Sequence, residues 1–234
     1  MQEKIDFVLA YVPQSKDIDL LIAELKESEV ISHLYLVCPP DGVKSAQQYA
    51  DIKCSIVEAE NLRSIKFLKQ IAQKISAHYT ATYLSTHTLT LGYRALERLI
   101  QTTRTIDHED KPLMVYTDRY DEQGLHPVID YQEGALRDDF DFGSLLLYRT
   151  KDIKDFVAVE KSARYRHAAL YALRLYISSH GQLLHVREPL YTEQETDLRA
   201  SGQKQFDYVN PSNREVQLEM EKACTEHLKH IGAW

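Results

Sequence analysis

Carboxylates crowd one stretch of this chain. The segment RDDFDFG carries Asp138, Asp139 and Asp141 just before an apolar run, and YTDRYDE upstream carries Asp118 and Asp121. Two carboxylates at i and i+2 in extended chain project to the same side, a spacing that can hold a hard divalent cation together with a substrate's phosphates. Asp139 and Asp141 are therefore the candidate metal pair, with Mg2+ or Mn2+ as the expected ion and a metal-independent site as the alternative. The same two residues and Asp118, which follows a buried strand, are the candidate catalytic carboxylates. The competing reading is a solvated acidic turn. Tyr116, Tyr120 and Tyr131 flank this acidic stretch and could stack on a sugar or base.

Other chemistries find little support. The ten histidines show no H-E-x-x-H spacing, and only His87 stands out, at the carboxyl end of an expected strand. Cys38, Cys54 and Cys224 match no metal or redox spacing and read as free thiols. No G-x-S-x-G, P-loop or dinucleotide fingerprint occurs, and DGVKS is too short for a phosphate loop.

The elements that must position these residues alternate in type. IDFVLAYV, SHLYLVCPPDG, CSIVEA, YTATYLS and PLMVYTD read as strands. Between them, SKDIDLLIAELKES, LRSIKFLKQIAQKISAH and GYRALERLIQTTRT carry apolar residues at helical spacing. This β-α rhythm predicts an α/β fold, three layers αβα, with a mostly parallel central sheet whose ligands sit at the carboxyl ends of the strands. Residues 118–141 then lack a sustained period and read as a long functional loop. GSLLLYRT reads as a strand, KSARYRHAALYALRLYISSHG as a helix stopped by Gly181, and QLLHVREPLYTEQE as a strand leading into an extended segment. The tail forms a helix capped by Ser212 or Asn213, with Val216, Met220, Ala223 and His227 on one face. The expected division is residues 1–195 as the main domain and 196–234 as a C-terminal extension towards a possible further domain.

Length and charge narrow the class. The 234 residues suffice for one large domain, and 44% apolar with 27% charged residues is an ordinary globular composition. A net charge of -7 with scattered Lys and Arg argues against nucleic acid as a partner. MQEKIDFVLAYVPQ is no signal peptide, and no run is long enough for a transmembrane segment, so a cytoplasmic location is expected.

Taken in order over residues 5–192, the segments resemble the family 2 glycosyltransferases, which have the glycosyltransferase A (nucleotide-diphospho-sugar transferase) fold. The likeness rests on AYVPQ closing the first strand, on LYLVCPPDG, and on NLRSIKFLKQIAQKISAHYTATYLSTHTLTLGYRALERLI with its LERL run. MVYTDRYDE and LYALRLYISSHGQLLHVREPLYT, with its EPLY element, continue it. The resemblance implies inverting transfer of a sugar from a nucleotide-sugar donor to a glycan or lipid-linked acceptor, as in polysaccharide biosynthesis. Tyr11, Cys38, Lys66, His87 and Arg137 are the candidate nucleotide-sugar-binding positions, of which His87, Lys66 or Arg137 could assist a leaving phosphate without a metal, and the resemblance places PVIDYQEGALRDDFDFGSLLLYRT on the acceptor side. Three departures stand out. Ser85, Thr86 and His87 occupy the place of the family's acidic metal motif, Cys38-Pro39-Pro40 that of its second-strand acids, and the expected catalytic base falls near Ala168 and Ala169. Either the site is rebuilt from Asp118, Asp121, Asp139 and Asp141, or the domain is catalytically degenerate and binds a nucleotide, a glycan or a neighbouring domain. Nucleotidyl transfer on the same architecture would lack its glycine-rich phosphate loop.

Overall fold

The computed structural model describes residues 3–13, 15–104, 113–132, 134–159, 165–195 and 211–233. Four apolar segments build the parallel half of one sheet: β1 (Ile5–Ala10), β2 (Ile31–Cys38), β3 (Cys54–Glu58) and β4 (Tyr79–Tyr83). The other half comprises β5 (Thr88–Leu91), β6 (Leu113–Asp121), β7 (Gly124–His126), β8 (Leu145–Arg149) and β9 (Gln182–Gln194). The strand order is β3-β2-β1-β4-β8-β6-β9-β5, with β7 hairpinned onto β6. β8 runs antiparallel between β4 and β6, so it interrupts an otherwise largely parallel path.

Continuous burial of β1 explains its unbroken apolar run, since helices cover both faces. α1 (Ile18–Glu27) and α4 (Ala95–Thr103) pack on the face of Phe7, Leu9 and Val115, beside the short α2 (Val43–Ala46). α3 (Ile65–Ala72), α5 (Thr150–Val159) and α6 (Ala169–His180) cover the face of Val8, Met114 and Tyr116. The start of α3 is set by Ser64, whose side chain accepts the Phe67 N–H at 3.2 Å. α6 ends where Gly181 was expected to stop it. The expected start of that helix in KSAR lies outside the described residues, as do the side chains of Ser212 and Asn213. α7 (Pro211–His230) seats Ala223 in the core beside α6.

Three features differ from the sequence expectation. β5 stands between the polar bend and α4, where a direct bend into the helix was expected. Its TLTL has alternate apolar residues but only four positions, too few for periodicity to declare itself. α5 follows β8 without a break, since Thr150 continues from Arg149 and no turn residue separates them. The supposed long loop is shorter at its start: β6 runs on to Asp121 and turns through DEQG into β7. Gln123 N–H bonds to Asp121 Oδ1 at 2.8 Å, and Gly124 takes a φ of 112°. Arg119 and Asp121 hide this hairpin from a hydrophobic count because they face a polar cluster.

Candidate active site

β1 leads through α1 to β2 on one side, whereas β4 lies on the other side of β1. The connections diverge there, which makes the carboxyl ends of β1 and β4 the crevice where an open α/β sheet holds a ligand. Val12 and Ser15 after β1, and Tyr83 and His87 at the end of β4, line a cavity of about 10 Å3 at this point. That volume admits roughly one water. Beside it the Ser15 hydroxyl donates to Thr88 Oγ1 at 3.0 Å.

Beneath the rim lies a polar cluster gathered from four strands. Glu193 of β9 is buried, and the Tyr83 hydroxyl donates to its carboxylate at 3.0 Å. His87 Nδ1 lies 3.5 Å from the same carboxylate, with its side chain 42% exposed. Arg119 of β6, nearly buried, approaches Glu193 at 3.5 Å and donates to both oxygens of Asp141 at 3.1–3.2 Å. His126 of β7 lies between Asp121, at 2.7 Å, and Asp141, at 3.1 Å. Burial pushes the Asp141 carboxyl up, but hydrogen bonds from Arg119 and the Gly143 N–H outweigh it and leave it below the usual range. Burial, then the Glu193 charge, holds the Tyr83 phenol protonated as a donor.

Of the expected site residues, Asp141 and His87 enter this cluster. Asp118 does not: it is buried on the opposite sheet face, accepting the Val128 N–H at 2.8 Å and facing His185 Nε2 at 2.9 Å. His185 also reaches Asp130 at 2.7 Å and stacks on Tyr116, so this group ties the acidic segment to the sheet. Asp139 pairs with Arg137 at 2.7–2.8 Å, both on the surface, and Lys66 is exposed on α3. Tyr11 is buried edge-on against Tyr49, and Cys38 is 1% exposed with its thiol pushed up by burial. Tyr120 is partly exposed, whereas Tyr131 packs with Phe140 and Phe142.

This donor set does not fit a hard divalent ion. Asp139 and Asp141 are each engaged by a different arginine, and the strand end itself offers hydroxyls and an imidazole. Among the described residues no group of three His, Cys, Asp or Glu is arranged to hold a metal. What the cluster holds is one guanidinium, Arg119, among the carboxylates of Glu193, Asp141 and Asp121, with the half-exposed His87 imidazole beside Glu193.

At the start of α6, where the resemblance places a base near Ala168 and Ala169, a carboxylate arrives from the tail. Glu219 of α7 accepts the N–H groups of Arg166, His167 and Ala168 at 3.1, 2.7 and 3.2 Å. Sequence reasoning missed Glu219, Glu193 and Arg119 because each reaches its place through pairing or packing far along the chain.

No family profile matches the sequence, and no curated protein is similar to it. Solved structures are similar in fold. TarS 1–349 from S. aureus in complex with UDP-GlcNAc matches with a TM-score of 0.57 and 13% identity, over 96% of this chain and 71% of that one. Glucosyl-3-phosphoglycerate synthase from Mycobacterium tuberculosis, in complex with Mg2+ and UDP, matches at 0.57 and 11%, over 95% and 80%. 4-Diphosphocytidyl-2C-methyl-D-erythritol synthase from Anaerococcus prevotii matches at 0.53 and 10%, over 91% and 96%. The chain spans 37% of a longer TarS structure. Fold and strand order thus define a glycosyltransferase A-type, nucleotide-diphospho-sugar transferase architecture. Among the described residues no helix is long and apolar enough to cross a membrane.

Proposed function

We propose that this chain is a family 2-type glycosyltransferase that takes a nucleotide diphospho-sugar into the β1–β4 crevice without a divalent metal. It transfers the sugar to a glycan or lipid-linked acceptor. The observation that supports this reading most is Arg119 of β6, held by Asp141 and by Glu193, the carboxylate that also meets Tyr83 and His87 at the end of β4. Transfer requires stabilisation of the leaving diphosphate, and a guanidinium held in place supplies it with little reorganisation.

A second reading rests on a specific observation. Asp141 is held below the usual carboxylate range by its donors and is a weak base in that state, which favours a catalytically degenerate domain that binds the nucleotide sugar without turning it over. Calorimetric titration with UDP- and GDP-sugars, with EDTA and with Mn2+, tests both together with an assay for released nucleotide. Metal-independent binding with release that depends on an added glycan or lipid-linked acceptor supports transfer, and binding without release in the presence of those acceptors supports the second reading. No binding under either condition sinks both. Arg119→Met is expected to weaken binding about tenfold or more, the scale of a lost charge-assisted hydrogen bond.

A further inference from the structure

α6 and α7 run side by side, with Glu219 capping the start of α6 and His230 meeting His180 at its end. Three imidazoles converge there. His180 closes α6, and His227 and His230 lie one turn apart at the end of α7. The His180 and His230 rings are 5.4 Å apart between centroids, and His180 Nδ1 donates to the Tyr176 carbonyl at 2.8 Å. All three line a cleft of about 370 Å3 between α5, α6 and α7, so the end of α7 is seated less closely than Ala223, which is 3% exposed.

The groups facing the half-buried His227 come from each neighbouring element. α6 contributes His180, Tyr176 and Arg174, α7 itself contributes His230 and Glu226, and α5 offers only the apolar Phe156 and Val159 to the cleft. Glu226 already accepts the Tyr165 hydroxyl at 2.7 Å. Arg174 is 6% exposed; its Nη2 donates to the Arg137 carbonyl at 3.0 Å, and its Nη1 has no hydrogen-bond partner. A proton added to His227 therefore meets two more imidazoles and a buried guanidinium that has no ion-pair partner among the described residues. Burial, then His230, Arg174 and His180, pushes the His227 imidazole below its ordinary value of 6.5.

From this convergence we propose that the α6–α7 contact is an acid-released latch, in which proton uptake by His227 frees the end of α7 from α6. The docked helix binds that proton less well than the free one, so docking is complete above about pH 6.5 and weakens as pH falls below it. The latch does not depend on the transferase reading.

Hydrogen exchange of the full chain between pH 7.5 and 5.5, corrected for the intrinsic pH dependence of exchange, tests it. This window lies above the ordinary carboxylate range. The opening constant at the amides of residues 223–230 is expected to rise below about pH 6.5 by up to about tenfold per pH unit, the slope for one linked proton, while the amides of β1 stay protected. His227→Gln should abolish the rise, and His33→Gln, a histidine on β2 beside Ser55, should leave it native. If the α7 amides of His227→Gln are open already at pH 7.5, the variant His180→Gln with His230→Gln decides: it removes two of the repelling neighbours and should make the rise shallower. A flat native profile overturns the proposal, as do an equal loss of protection in β1, a native slope in the deciding variant, or a slope lost in His33→Gln as well.

Discussion

Replacing Glu219 by alanine tests how the tail helix is built into the domain. Its carboxylate accepts three backbone N–H groups at the start of α6, acting as an N-cap supplied from another helix. Loss of an ordinary N-cap costs about 0.5–2 kcal/mol. The upper end applies because the acceptor is charged and two of the bonds are part-buried, giving an expected loss of about 2 kcal/mol. For a chain of this size about 1 kcal/mol moves the melting midpoint by roughly 2–4 °C, so Glu219→Ala should melt about 4–8 °C lower. Glu219→Gln keeps an acceptor oxygen without the charge and should lose about half as much. The Tyr165 hydroxyl still bonds Glu226 at 2.7 Å, so α7 loosens without departing altogether. Thermal unfolding by circular dichroism gives the midpoint, and hydrogen exchange at the amides of residues 166–168 shows where the protection was lost. An unchanged midpoint together with native exchange at those amides would refute the capping role.

Two further substitutions probe the sheet and the cluster. Burial raises the Asp152 carboxyl to about 6, against 3.8 as its ordinary value. The native state therefore keeps the proton to higher pH, and the stability this group confers is fully present below about pH 4 and lost as pH rises through about 6. Asp152→Asn still accepts the Leu113 N–H, so it should flatten the pH dependence between those values and gain about 1–2 kcal/mol at pH 7 after allowance for solvent screening. Urea titrations across that pH range measure both effects, and parallel profiles for variant and native protein would contradict them. Gly143→Ala places a Cβ 2.4 Å from the Tyr191 hydroxyl at a φ of 68°. It should lower the urea midpoint by the equivalent of about 1–3 kcal/mol with an unchanged slope, and an unshifted midpoint would show that Tyr191 yields freely.

The legible part of the fold is the part whose burial follows a simple period. β1 to β4 and the faces of α1, α3 and α4 announce themselves because both sheet faces, or one helix face, are uniformly apolar. β7 and the end of β6 were hidden by Arg119, Asp121 and His126, which pair with one another instead of alternating with core residues. The site was legible in outline only. His87 and Asp141 could be named from their place at a strand end and in an acidic run, and both join the cluster, His87 beside Glu193 and Asp141 through Arg119. Glu193 carries no local signal. It is an acid in a strand that reads TEQE, and its meaning depends on β9 lying beside β6 and β5. The i, i+2 spacing that grouped Asp139 with Asp141 fails as a geometric guide because separate arginines engage the two carboxylates.

The central claim is that a nucleotide diphospho-sugar enters between β1 and β4 by way of Arg119 and His87, with no metal. NMR of the protein with labelled histidine side chains, titrated with UDP-sugar in excess EDTA, addresses it directly. Saturable shifts at His87, absent in Arg119→Met and unaffected by adding Mn2+, are the predicted result. Shifts that require Mn2+, or a bound nucleotide that leaves His87 unmoved, would contradict it.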